Sequence, residues 1–208
     1  MELTNVSVIL GIMGRIKTDI NHSRKEVIIT KAAELFKEKG YKAASMRDLA
    51  EEVGVEAASL YNHIHGKSEL LHIICFDVAN KYMEMMDEIE AEKTTSIQKV
   101  EKLLRFLITG MVLQFNNVYV SDREWKHLTE PYLSNFQNQR RIFRKRFAAI
   151  IEQGMKKKEI KKIDAPTAVL ILLHAVSGIE SWHRSKEKIN GIELEESMIT
   201  ILVGGLRK

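Results

Sequence analysis

Arg47, Tyr61 and Lys67 lie close together in a chain of 208 residues. All three side-chain types can hold phosphate oxygens, the cations through charge and the phenol through its O–H. Taken alone, each is equally an ordinary solvated surface residue. Thr30 and Ser45 add hydroxyls, and Asn62 and His63 add groups able to meet base edges in a groove. Two of these have plain alternatives: Ser45 could do no more than cap a helix, and His63 could pack beneath one.

The elements that must position these groups can be read from spacing. Ser45, with Asp48 three residues on, approximates a capping box. Met46, Leu49, Ala50 and Val53 then fall on one helical face. Gly54 can adopt the left-handed conformation that ends a helix. Residues 57–63 restart a helix whose large inward residue is Leu60. Two helices this short need flanking helices to hold them. The arrangement is the helix-turn-helix pattern, whose second helix can lie in the major groove of DNA.

Other chemistries find less support. His63, His65 and His72 suggest a metal site, but no Cys or carboxylate stands at ligand spacing with them, so no metal or other cofactor is expected. There is no glycine-rich phosphate loop and no nucleophile motif, and Cys75 lies inside an apolar helical run. A lone cysteine excludes an intrachain disulfide and suits a reducing cytoplasm. The formal charge of +4 is mildly basic and compatible with nucleic acid. Residues 140–162 hold ten Lys/Arg against Glu152 and Glu159. That run is either a solvated face or an attraction for an anionic ligand.

Only two prolines punctuate the chain, which favours long helices. Residues 6–13 are apolar but far short of the ~20 residues a membrane span needs, so no membrane association is expected. Residues 1–21 are either a disordered extension or an overlong start with Met13 as initiator, and the second is favoured. The first helix begins near Ser23, carries Val27, Ile28, Ala32, Leu35 and Phe36 inward, and stops at Gly40. Lys67 opens a fourth helix reaching Ala91, and Ser96 caps a fifth. Residues 116–121 read as a loop and 122–130 as a short sixth helix. The seventh covers 132–157. The eighth starts after Asp164 and is apolar nearly all round, and the ninth covers 194–206. The expectation is an all-α chain of nine helices, with a three-helix head at residues 22–82 and a helical body at 83–208.

Ala32-Ala33-Glu34-Leu35-Phe36, Gly40-Tyr41, Ser45-Met46-Arg47-Asp48-Leu49-Ala50, Gly54-Val55, Ser59-Leu60-Tyr61 and Lys67-Ser68-Glu69-Leu70 together resemble the TetR family of one-component bacterial transcription regulators. The resemblance implies a DNA-binding head, a ligand-binding body and a homodimer formed through the last two long helices, the eighth and ninth. It makes Arg47, Tyr61 and Lys67 the leading phosphate contacts. It places Thr30, Ser45, Met46, Glu56, Ala57, Ala58, Asn62 and His63 with them at double-stranded operator DNA. The reading face departs from the family, because Glu56 is acidic and Ala57 and Ala58 offer only apolar contact.

A weaker resemblance links Glu180-Ser181-Trp182-His183-Arg184, and a last helix ending Gly204-Gly205-Leu206, to members that answer acyl-CoA thioesters. It departs where His183 and Ser185 stand in place of Tyr and Pro. Family architecture would have Met111, Phe115, Trp125, Leu128, Phe136, Phe143 and His174 line an apolar cavity, although each is also an ordinary core position. The expected function is a cytoplasmic, ligand-responsive repressor released by a hydrophobic effector such as an acyl-CoA. Alternatives are a regulator of an efflux gene answering a lipophilic compound, and a helical adaptor dimer without sequence-selective DNA binding. No enzymatic activity is expected.

Overall fold

The computed structural model describes residues 23–185 and 189–208. Expectations about residues 1–21, including the choice between Met1 and Met13, lie outside the described residues. α1, Arg24–Lys39, starts with a capping box: Ser23 Oγ accepts from the Glu26 amide at 3.3 Å and Glu26 Oε2 accepts from the Ser23 amide at 3.0 Å. Ile28, Ala32, Ala33, Leu35 and Phe36 are buried along one stripe. Val27, expected inward, is 37% exposed at the edge of that stripe. Gly40 ends α1 with φ +78°.

The same device starts α2, Met46–Val53. Asp48 Oδ2 accepts from the Ser45 amide at 2.8 Å, and Ser45 Oγ accepts from the Asp48 amide at 3.1 Å. Gly54 closes α2 in the left-handed region (φ 72°, ψ 40°), and the Val55 amide donates to the Ala50 carbonyl at 3.0 Å. α3, Ala57–Leu60, is a single helical turn. Beyond it the chain continues as a turn, with the His63 and Ile64 amides donating to the Leu60 carbonyl at 2.9 and 3.0 Å. The helix expected over 57–63 is therefore one turn and a tail. An element this short does not persist alone. Leu60 and Ile64, 0% and 1% exposed, pin it to the core.

α4, Lys67–Ala91, has 25 residues, a rod about 37 Å long. Leu70, Leu71, Ile74 and Cys75 belong to the core of the head, and Met85, Met86 and Ile89 to the core of the body. α5, Ser96–Leu113, is capped by Thr95 with Gln98 rather than by Ser96. The Ser96 amide instead donates to Glu159 Oε2 at 2.6 Å.

The stretch expected to be a loop at 116–121 is helical. At Gln114 the chain turns through 104° into α6, Phe115–Arg123. The short helix expected over 122–130 is the end of α6 followed by a 3₁₀ turn, Trp125–His127. Burial of Val118, Val120 and Ser121 holds α6 in place despite two adjacent asparagines of low helix propensity. α7 is Tyr132–Lys156. The expected eighth helix is interrupted at Gly178, giving α8, Ala165–Ser177, and α9, Ile179–Arg184. Leu170 and Ile171, 54% and 59% exposed, leave one side of it uncovered. α10, Gly191–Leu206, is capped by Asn190. The nine-helix, all-α plan stands with that interruption, and among the described residues there is no β-strand, only an isolated bridge between Ile160 and Arg207.

Candidate DNA interface and ligand cavity

The helix-turn-helix presents a polar surface over an apolar base. Leu49, Ala50, Leu60 and Ile64 are buried. Thr30, Ser45, Arg47, Glu56, Ala57, Ala58, Tyr61, Asn62 and His63 are all exposed, with Met46 half-buried beside them. Arg47 is exposed, and among the described residues its ion-pair partner is Glu51 at 3.7 Å. Tyr61 is 51% exposed. His63 does not pack beneath the helix, since Ile64 takes the inward place. Glu56 caps α3 through its backbone alone.

Lys67 is placed differently from the expectation of a free phosphate contact. Its Nζ donates to the carbonyls of Tyr41 and Ala44, both at 2.8 Å, and of Lys42 at 3.3 Å. It also lies 4.5 Å from the centre of the Tyr41 ring. An ammonium has three donors, and here all three are occupied by the turn between α1 and α2. The spacing of Lys67 gave no sign of this, because those carbonyls are remote in sequence.

Tyr41 joins the head to the body. Its ring meets Phe36 edge-on at 5.3 Å and stacks on His127 at 5.5 Å. Its amide donates to Glu124 Oε2 at 3.3 Å, and Glu124 lies 3.5 Å from His127. Burial pushes the Tyr41 phenol up from its ordinary value. The three histidines of the metal hypothesis do not converge. His72 packs on Tyr132 at 3.9 Å and Phe76 at 4.6 Å, and burial lowers its pKa against a smaller opposing effect of Glu69. Among the described residues no three His, Cys, Asp or Glu side chains group as metal ligands. Burial pushes the Cys75 thiol up to about 12, leaving it unreactive.

A cavity of about 500 Å³ opens between α4, α5, α6, α7 and α8, within the ~300–1,000 Å³ common for small-molecule sites. Met111, Phe143 and His174 line it as expected. Phe115, Trp125, Leu128 and Phe136 do not. Phe115 stacks on His183 at 3.9 Å, and Trp125 stacks on Phe136 at 6.1 Å. Phe136 and Leu128, 1% and 6% exposed, complete the core of the head. Residues not foreseen line the cavity instead: Tyr82, Tyr119, Asp122, Arg123, Arg144 and Glu180 among them. The spacing of Arg140 with Phe136 and Phe143, four and three residues away on α7, is a sequence signal that it shares their inward face.

The charges in the wall are mostly paired. Arg140 Nη1 donates to Asp122 Oδ1 at 2.9 Å, and Arg123 Nη2 to Glu180 Oε2 at 2.8 Å. Arg140 also lies 5.7 Å and 5.8 Å from the ring centres of Trp125 and Phe136. Of the basic run 140–162, only Arg140 and Arg144 line the cavity. Arg146 instead pairs with Asp87 and Glu90 of α4 at 2.6 and 2.7 Å. In the run 180–184, His183 Nε2 meets the Met111 carbonyl at 2.8 Å and Trp182 Nε1 donates to the Ile189 carbonyl at 2.9 Å.

A helix-turn-helix head with an exposed polar face, fused to a helical body around a cavity, defines a class of all-α protein with two separate sites. The family model for bacterial regulatory proteins of the tetR family matches residues 28–74, and that for the tetracyclin repressor-like C-terminal domain matches residues 93–206. The chain belongs to the TetR family. The transcriptional repressor KstR2 of Rhodococcus jostii is 26% identical over 192 residues, covering 88% of this chain and 91% of that protein. IcaR of Staphylococcus aureus strain Newman, the negative transcriptional regulator of the biofilm operon icaADBC, is 26% identical over 179 residues, covering 83% of this chain and 91% of that protein. The solved structure of the ketosteroid regulator KstR2 of Mycobacterium tuberculosis has a TM-score of 0.83 at 19% identity, covering 90% of this chain and 96% of that one. AibR, solved in complex with isovaleryl coenzyme A and operator DNA, has a TM-score of 0.75 at 20% identity, covering 87% of this chain and 98% of that one. The named relatives are transcriptional regulators, not enzymes.

Proposed function

We propose that this chain is a cytoplasmic, DNA-binding repressor whose affinity for its operator is set by a ligand in the body cavity. The observation that carries the reading is the exposed face of Arg47, Tyr61, Asn62 and His63 above a packed base. Arg47 and Tyr61 hold phosphate, with Thr30 and Ser45 as further donors. Glu56, Ala57, Ala58, Asn62 and His63 face the groove. Since hydrogen-bonding groups are few there, sequence preference leans on apolar contact and DNA shape. Lys67 holds the turn between α1 and α2 and acts on DNA binding through position rather than contact.

Two copies pair through α8 and α10. Leu170 and Ile171 on α8, and Ile192 and Ile201 on α10, are 54%, 59%, 75% and 71% exposed, an apolar surface that a partner copy covers. By length and composition alone the span Ala165–Arg184 could cross a membrane. The ion pairs that Glu180 makes with Arg123 and Arg184 favour the dimer face. Two heads then read a near-palindromic site.

The effector is an acyl-CoA thioester, a reading supported by the AibR complex and by the 180–184 run. A neutral lipophile controlling an efflux gene is the second reading, favoured by the apolar cavity wall. Linkage requires that the effector weaken operator binding by the factor by which DNA weakens effector binding. Native mass spectrometry of protein taken directly from cells separates the two: an acyl-CoA adduct supports the first, and a neutral adduct removes it. For the DNA site, Arg47→Ala lowers operator affinity and cuts the salt slope by about 1 for each phosphate the guanidinium neutralises. Tyr61→Ala lowers affinity with the slope unchanged. A double variant that shifts operator DNA like the wild type removes both residues from the interface.

A further inference from the structure

We infer that Arg144 is the anion anchor of the body cavity, and that the ligand admitted there is an apolar chain ending in a negatively charged group. The inference rests on the reading of that cavity as the effector site. Two carboxylates line the wall and both are answered from within. Asp122 receives Arg140 at 2.9 Å, while Glu180 receives Arg123 at 2.8 Å and Arg184 at 2.9 Å. Arg144 lines the same cavity one helical turn beyond Arg140 on α7. Among the described residues no carboxylate, hydrogen-bond acceptor or aromatic ring partners it. The wall therefore has one cation left over.

Arg144 is itself exposed, so its charge stands where the cavity meets solvent and can receive an entering anion. Partial loss of water, and then the neighbouring Arg140 cation, lower the Arg144 pKa from its ordinary value. Like charges four apart on a helix repel. An anion seated at Arg144 turns that repulsion into attraction, and the planar guanidinium can grip a carboxylate or phosphate with two parallel hydrogen bonds. Much of the remaining wall is apolar: Met83, Leu107, Met111, Phe143 and Leu173. Nearby, the phenol of Tyr82 is held neutral, its pKa raised by burial and, to a lesser degree, by Asp122. At the ~30 Å³ filled by a water-sized group, the cavity of about 500 Å³ takes roughly fifteen heavy atoms. A medium-length chain fits with its charged end at Arg144, and a nucleotide must remain outside.

A free carboxylate and the phosphates of a coenzyme A thioester present this same chemistry. Calorimetry on the full-length protein with decanoate, 1-decanol and decanoyl-coenzyme A distinguishes them, using wild type, Arg144→Met and Arg144→Lys. The wild type is expected to bind at least one of the two anions tenfold or more tighter than decanol. Arg144→Met should abolish that preference while binding decanol as before and melting as the wild type does. Arg144→Lys should keep part of it. Decanoate binding tighter than decanoyl-coenzyme A identifies a free acid as the source, and the reverse order identifies a thioester. Equal binding of decanol and both anions by the wild type, or an anion preference that survives Arg144→Met, overturns the anchor and leaves the cavity reading intact. Failure of all three ligands to bind the wild type overturns both.

Discussion

The head and the body solve different packing problems with the same helices. In the head, Ile28, Leu60, Leu70, Leu71 and Ile74 are all 0% exposed, and charge is kept outside. The body is equally well packed around Leu103, Leu104 and Phe147, yet it keeps an open volume with two ion pairs in its wall. Close packing leaves little freedom to adjust. The head is thus suited to presenting fixed groups, and the body to rearranging around a guest. α4 belongs to both cores, so it cannot move in one without disturbing the other.

The sharpest way to break that contrast is to hollow the head. Phe36 is 1% exposed, and Phe36→Ala should cost about 3–5 kcal/mol. Operator binding is expected to vanish while the body still binds its ligand. Parallel loss of both in a ligand titration would mean that the two cores are one unit. A smaller effect is expected from Lys67→Met, which strips the ammonium from three carbonyls. It should lower stability by about 1–3 kcal/mol and weaken operator binding with the salt slope unchanged. A fall in slope, measured as affinity against salt, would restore Lys67 as a phosphate contact. Smaller again is Ser45→Ala, at about 1 kcal/mol for removal of the cap, read by thermal unfolding.

The least effect comes from acid. Hydrogen bonds from Ser45, then from Lys39, hold the Asp48 carboxyl down at about 2, against an unfolded value of about 3.9. The contribution of Asp48 is therefore complete above about pH 4 and lost as pH falls toward 2. Asp48→Asn should flatten that part of the acid-unfolding curve.

Much of the head was legible because its boundaries are written in local chemistry: Ser23 with Glu26, Ser45 with Asp48, and Gly54 at a left-handed φ. α6 was not legible, since Asn116 and Asn117 resemble a loop and it is the burial of Val118, Val120 and Ser121, with packing on α1 and α4, that holds the segment helical. The cavity was harder still. Met111 and Phe136 are alike in sequence terms, yet one lines open space and the other completes the core of the head. The same holds for cations: Arg144 and Lys67 are alike in sequence terms, yet Arg144 stays exposed at the cavity wall while Lys67 is tied to three carbonyls.

Arg140 lies over Trp125 while its Nη1 holds Asp122 in the cavity wall. One consequence is optical. The chain has two tryptophans, and one of them, Trp125, stands under a guanidinium of the cavity wall. Indole emission senses a nearby cation and its hydration, so filling the cavity and shifting Arg140 should change fluorescence from Trp125 without any added label. Trp182→Phe would leave Trp125 as the sole emitter, and the protein would then report its own occupancy in real time, at the point where the body meets the head.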